Sequence, residues 1–171
     1  EIAKEAKGEY LFLLNPDTVL LSTDTLQKLV DYIDSHYEVG IVGPRLIDKE
    51  GVYQVSAKKR HTWWRMIIEK PLSLMYRMWG RNTNVLRLLA FFSSQYQFES
   101  TRSDCDVVTA AALLIRRELF EQINGFSEDF FMYFEDDDLC LRVKQLGYEI
   151  HFYPEITIQH LVGQSEHNSD A

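Results

Sequence analysis

The chain has little of what would mark a special class. Its two cysteines, Cys105 and Cys140, show neither the spacing of a metal knuckle nor the density of a disulfide scaffold. They read as core residues and fit a reducing compartment. Four prolines and eight glycines in 171 residues exclude a collagen-like or low-complexity chain. No uninterrupted apolar run reaches the length of a membrane span, and no signal peptide opens the chain. The acidic run Glu135-Asp136-Asp137-Asp138 lacks the alternating spacing and the glycine of a calcium loop. No initiator methionine stands at position 1, and the first residues read as a helix tail, a turn at Gly8 and a strand. The expectation is a stretch that starts in mid-domain.

What is present describes one globular domain. Hydrophobic residues make up 46% of the chain and aromatics 13%, enough for a core and too much for a disordered segment. The net charge of −8 hides an asymmetry: the stretch from Lys58 to Phe98 carries +7 and the remainder −15. Charge separated in this way points to an anionic partner for one region.

The apolar pattern alternates between strands and helices. "YLFLL" (10–14) is continuously apolar, as a strand covered on both faces must be. Pro16 ends it by forcing a turn at Asn15-Pro16-Asp17. Leu26, Leu29, Val30 and Ile33 then recur at helical spacing behind the candidate caps Ser22, Thr23 and Asp24. "VGIVGPRLID" (39–48) reads as a strand that turns through "DKEG" into a hairpin partner. Residues 58–100 are basic and aromatic, and read as amphipathic helices or a loop. "CDVVTAAALLIRR" is a buried strand, "ELFEQI" a short helix closed by Asn124-Gly125, "EDDDLCLRVKQLG" a helix stopped at Gly147, and "YEIHFYP" a last strand. This order predicts an α/β fold with a mostly parallel sheet, whose ligands bind beyond the carboxyl ends of the strands. Asp17 lies at such an end.

Four stretches, "LFLLNPDTVL", "TAAALLIRRELFEQINGF", "FFMYFEDDDLCLRVKQLGY" and "ITIQHLVGQS", occur in an order and spacing that resembles the family 2 glycosyltransferases. The likeness is to the bacterial rhamnosyltransferase-like branch, and it covers nearly the whole chain except the basic segment. It implies the GT-A fold, a Rossmann-like, mostly parallel sheet flanked by helices, here N-terminally truncated because the family's first, nucleoside-gripping strands are expected to be absent. It also implies an inverting transfer of a sugar, rhamnose by likeness, from a nucleoside-diphosphate donor to a hydroxyl of a glycan or lipid-linked acceptor in cell-surface polysaccharide synthesis.

That chemistry needs charge neutralisation at the leaving diphosphate and a base at the acceptor hydroxyl. The resemblance implies a divalent cofactor, Mg²⁺ or Mn²⁺, with Asp17 and His160 as its protein ligands. Few protein ligands suffice, since such an ion keeps waters and accepts phosphate oxygens. It places Asn15, Asp17, Ala110, Ala111 and Glu135 at the substrate-binding surface and the general base at Asp136. Asp137 and Asp138 are left to the helix dipole and local hydrogen bonds. His151 and His167 match nothing in the family. Ser127 stands where the family has Asp, and Ala110 where it has Gly, which narrows the expected sugar pocket.

Residue by residue, plainer readings stand beside these: an Asx turn at Asn15-Pro16-Asp17, a core or surface histidine at 160, and acids that serve only a helix terminus. Two other functions also stand, a non-catalytic remnant of such an enzyme and a metal-dependent phosphohydrolase. The basic segment (58–98) interleaves cations with Trp63, Trp64 and Trp79, which suits peripheral contact with an anionic membrane at the cytoplasmic face. No nucleic-acid recognition motif accompanies it.

Overall fold

A computed structural model, which describes residues 2–58, 102–128 and 134–161, buries the apolar strands 39–47 and 112–116, whereas "YLFLL" (10–14) lies at the sheet edge with only Leu11 buried and is not covered on both faces as predicted. The strands are β1 (Tyr10–Leu14), β2 (Thr18–Leu20), β3 (Val39–Ile47), β4 (Tyr53–Gln54), β5 (Ala57–Lys58), β6 (Arg102–Cys105), β7 (Val107–Val108), β8 (Ala112–Arg116) and β9 (Glu149–His160). The helices are α1 (Ile2–Glu5), α2 (Thr25–Ser35), α3 (Arg117–Gln122) and α4 (Glu135–Gln145). Seven strands form the main sheet in the order β1-β8-β3-β9-β2, with β4 on β3 and β6 on β9, while β5 and β7 pair separately.

Two apolar clusters sit on opposite faces. Leu113 and Ile115 pack into one with Leu139, Cys140 and Val143 of α4. Ala112 and Leu114, their neighbours in β8, pack into the other with Leu29 and Ile33 of α2. The period of two along β8 therefore feeds both faces. Each fully buried Leu, Ile or Phe contributes about 1.5–3 kcal/mol. Cys105 and Cys140 are buried, as expected of core residues.

The α/β class is as predicted, but the sheet is mixed. β3 and β9 are parallel, whereas β8 runs antiparallel to both β1 and β3. The apolar pattern of β8 is the same in either direction, because burial on two faces carries no sign of strand polarity. "CDVVTAAALLIRR" is also not one strand. β7 leaves the main sheet to pair with β5, Ala57 opposite Val108, and the small residues Ala110 and Ala111 make the turn into β8.

The last strand does not stop at Pro154 but continues to His160. Along β3 the partner jumps from Tyr153, opposite Pro44, to Thr157, opposite Arg45. Prolines lack a ladder donor, so they are tolerated where a bulge interrupts the ladder. That irregularity lets one strand run from the core to the site.

The predicted helix after Ser22 begins at Thr25, with Asp24 at the cap position. The Asp24 side chain makes no cap bond and pairs instead with Lys28 at 2.8 Å. The carbonyls at its far end are held by Arg116 of β8, which donates to Ile33 O at 2.8 Å and to His36 O at 3.2 Å. α3 closes at Asn124 and Gly125, both at positive φ, and Gly147 (φ +92°) turns α4 into β9. Among the described residues no helix is long and apolar enough to cross a membrane. The amphipathic helices or loop read for 58–100 lie outside the described residues from position 59 onward, as do residues 129–133 of the aromatic run and 162–165 of the last motif.

Candidate active site

Asp17 and His160 are 143 positions apart, and strand pairing joins them. β2 lies antiparallel to the end of β9 with Thr18 opposite His160, and Leu161 N donates to Asp17 O at 2.8 Å. Asn15, at the end of β1, receives bonds at its carbonyl from Thr18 N (3.2 Å) and Thr18 Oγ1 (2.6 Å), which forms the tight turn after Pro16. The side chains of Asp17 and His160 then meet, Oδ1 to Nε2, at 3.3 Å, and both are largely buried.

The proton on the imidazole can be assigned from its neighbour. Gln54 Nε2 lies 3.0 Å from the His160 backbone carbonyl, which can only accept, so the amide group faces that oxygen. Gln54 Oε1 therefore faces Nδ1, at 2.9 Å, and Nδ1 carries the hydrogen. The Nε2 lone pair is left facing a carboxylate oxygen. Two acceptors at this distance repel unless a positive species lies between or beside them. An imidazolium proton or a divalent ion can fill that role, and the oxygen and imidazole donors fit a Mg²⁺ or Mn²⁺ ion. Among the described residues no group of three or more His, Cys, Asp or Glu side chains gathers around one point. An ion here would complete its shell with phosphate oxygens and water.

Ala111 joins this corner through its carbonyl, which accepts from Asn15 N at 2.9 Å. Ala110 precedes it in the turn and is half-buried. The substrate-side positions Asn15, Asp17, Ala110 and Ala111 are thus brought together at one end of the sheet.

Asp136 and Glu135 open α4. Because the chain turns directly from α4 into β9 through Gly147, the helix runs antiparallel to that strand. Its N-terminus therefore points towards the end of the sheet where β9 reaches His160. Phe134, an exposed residue with φ +69°, bends the chain into the helix. Glu135 Oε2 is buried without a hydrogen-bond partner. Burial pushes the Asp136 carboxyl above the ordinary aspartate range; the Lys58 ammonium draws it back, and Asp137 and Glu135 push it up again. A helix N-terminus would by itself keep the group ionised, and here desolvation outweighs it.

The other two acids have local partners. Asp137 pairs with Lys58 at 2.6 Å, and Asp138 pairs with Arg142 at 2.6 Å. Arg142 also donates to Ile123 O (2.6 Å) and Gly125 O (2.8 Å), tying α4 to the end of α3. His151, unassigned by motif, is a satisfied core histidine between Tyr32 Oη (2.8 Å) and Glu149 Oε2 (2.9 Å). Sequence reasoning missed Gln54 and the individual role of Lys58. Gln54 sits in a two-residue strand without a motif, and Lys58 was one cation among eight.

Similarity to known proteins bears on the fold that carries these residues. The family described as "N-terminal domain of galactosyltransferase" matches residues 91–165, which include Ala110, the acidic run and His160. The rhamnosyltransferase WbbL of Escherichia coli K12 is 25% identical over 97% of this chain and 56% of its own length. The N-acetylglucosaminyl-diphospho-decaprenol L-rhamnosyltransferase of Mycobacterium tuberculosis is 27% identical over 89% of this chain and 47% of its own. In fold, the mannosyltransferase PcManGT from Pyrobaculum calidifontis, solved with GDP-Man and Mn²⁺, superposes with a TM-score of 0.53. It shares 20% identity, over 95% of this chain and 35% of its own.

The chain has the GT-A fold, and in sequence it is similar to rhamnosyltransferases. It spans about half the length of the two rhamnosyltransferases named. In this GT-A frame the Asp17–His160 corner stands at the end of the sheet towards which the first turn of α4 points.

Proposed function

We propose that this chain is the catalytic part of an inverting glycosyltransferase. It would move a sugar, rhamnose in the first instance, from a nucleoside-diphosphate donor to a hydroxyl of a glycan or lipid-linked acceptor in cell-surface polysaccharide synthesis. The observation that carries the reading is the facing acceptor pair, Asp17 Oδ1 and His160 Nε2 at 3.3 Å, at the strand ends. A divalent ion held there would supply charge neutralisation for the leaving diphosphate.

The chain's own residues do the rest. Asn15, Ala110 and Ala111 shape the turn beside Asp17 and bound the donor sugar. Asp136 takes the proton of the acceptor hydroxyl as the new bond from that oxygen to the anomeric carbon forms and the bond to the diphosphate breaks. Its raised proton affinity suits a base, since a carboxylate far below the working pH accepts protons weakly. The names of the relatives, which specify rhamnosyl transfer and, in one, a diphospho-decaprenol-linked acceptor, support the substrate classes.

The basic segment fits peripheral contact with the inner face of the cytoplasmic membrane, where a lipid-linked acceptor would be presented. The phosphohydrolase alternative gains nothing from the described residues.

The test is a donor-hydrolysis screen of the full-length protein across nucleotide sugars, with and without Mn²⁺. The expected result is metal-dependent release of nucleoside diphosphate from one donor. Acceptor-dependent transfer should fall by about 10²–10⁴ in Asp136→Asn, with donor affinity retained. Normal turnover in Asp136→Asn, or loss confined to Asp137→Asn, would overturn the assignment.

A further inference from the structure

At the head of α4 three consecutive carboxylates stand together, and among the described residues Lys58 is the cation that acts on Asp136 and Asp137. Asp138 is engaged by Arg142, and Lys144 is engaged by Asp106, so neither changes the balance at Glu135, Asp136 and Asp137. Lys58 Nζ lies 2.6 Å from Asp137 Oδ2, and the Asp137 backbone N–H donates to Asp136 Oδ1 at 2.9 Å. The ammonium is thus bonded to the residue that itself holds the Asp136 carboxylate.

The position of that ammonium is set by backbone pairing. Lys58 stands opposite Val107 in the β5–β7 ladder, and its carbonyl accepts from Asp106 N at 3.1 Å. β7 in turn packs under α4, where Cys140 Sγ approaches Val108 O at 3.8 Å. Both ends of the Lys58–Asp137 pair are therefore anchored, one in a strand and one in a helix. A partly buried pair held in this way is screened less by salt than a free surface pair.

We propose that Lys58 is a positioning residue for the base. Through Asp137 it holds the first turn of α4 in place, and by its charge it keeps Asp136 unprotonated among two like charges. The functional meaning rests on the reading of Asp136 as the base, but the electrostatic effect can be measured without it. The groups facing Asp136 among the described residues are Glu135, Asp137 and the buried Cys140 on its own helix and Lys58 on β5; β7 presents only valines. Without Lys58 the Asp137 N–H still favours the charged form, but burial and two neighbouring carboxylates lose their main opponent, and the Asp136 carboxyl holds its proton to higher pH.

The experiment is a carboxyl ¹³C NMR titration of Asp136 in the full-length protein without donor or metal, comparing the parent with Lys58→Met, Lys58→Arg and Asp137→Asn. The Asp136 midpoint should move to higher pH in Lys58→Met and return towards the parent in Lys58→Arg. In Asp137→Asn it should move to lower pH, because a like charge is gone and the ammonium remains. A purely structural tether would give no such opposition of sign. Should Lys58→Met not fold, the midpoint in Lys58→Gln decides. An unmoved midpoint in the variants that fold overturns the proposal. The base reading is judged separately by turnover of Asp136→Asn with thymidine-diphosphate rhamnose. Normal turnover there removes the functional meaning, whereas a dead Asp136→Asn with unmoved midpoints removes only Lys58.

Discussion

Asp136 is costly to the fold in the ionised form that the proposed chemistry needs. Its folded proton affinity lies above the unfolded one, so between the two values the native state binds more protons than the unfolded state. Stability therefore falls as pH rises through that window and stays lowered at neutral pH. Asp136→Asn keeps the shape and removes the charge, so it should melt at a higher temperature than the parent at neutral pH. The gap should close as pH falls from the raised Asp136 value to the ordinary aspartate value, which thermal melts across pH can follow. Gln54 makes the second residue-scale prediction. Its amide fixes the His160 tautomer from both sides, Nδ1 and backbone carbonyl. Groups that orient a metal-ligating histidine are worth about 10–100-fold in metal affinity. In Gln54→Leu, Mn²⁺ binding in the presence of nucleoside diphosphate, read by electron paramagnetic resonance, should weaken by about that factor. Unchanged affinity would mean that His160 does not ligate through Nε2.

At the scale of elements, the site depends on how closely α4 and α3 approach β3. A Cβ at Gly40 would stand 2.7 Å from Val143 Cγ1 and 2.9 Å from Leu119 Cδ1, so only glycine admits both helices. Overpacking of this kind costs about 1–3 kcal/mol. Gly40→Ala should lower the denaturation midpoint in urea by an amount in that range, with an unchanged slope. The same substitution at Gly51, where nothing lies within 4 Å of a Cβ, should cost only what its positive φ imposes. Arg142 acts between elements too, since it joins Asp138 to the carbonyls of Ile123 and Gly125. The first turn of α4 is thus braced by Lys58 on one side and by Arg142 on the other.

For the whole molecule the decisive quantity is the distribution of charge. A chain of net charge −8 carries +7 between Lys58 and Phe98. Basic residues near an anionic bilayer contribute about 1 kcal/mol each, and the contribution falls with salt. Co-sedimentation should therefore show binding to anionic but not neutral vesicles at low salt and release at high salt. A variant with Arg65, Lys70, Arg77 and Arg81 replaced by Gln should sediment less. Equal sedimentation of parent and variant would remove the membrane from the proposed function. Lys58 stays unchanged in that variant, so the base and the surface are tested apart.

The α/β class, the helix at Glu135–Gln145 with its stop at Gly147, and the turn at Asn15-Pro16-Asp17 were legible in the sequence because each rests on local physics: apolar period, the stereochemistry of proline and glycine, and acids at a helix start. The resemblance also named Asp17, His160 and Asp136 as candidates. Strand polarity was not legible, since a strand buried on both faces reads the same in either direction, and so β8 was not seen to run against its neighbours. Nor was the continuation of β9 past Pro154, which a bulge against β3 permits. The pairing of Asp17 with His160, the tautomer set by Gln54 and the ammonium placed by β5 beside the acids each join residues far apart in the chain. Only tertiary structure decides such contacts, because their energy depends on distance in space and on the water excluded around them.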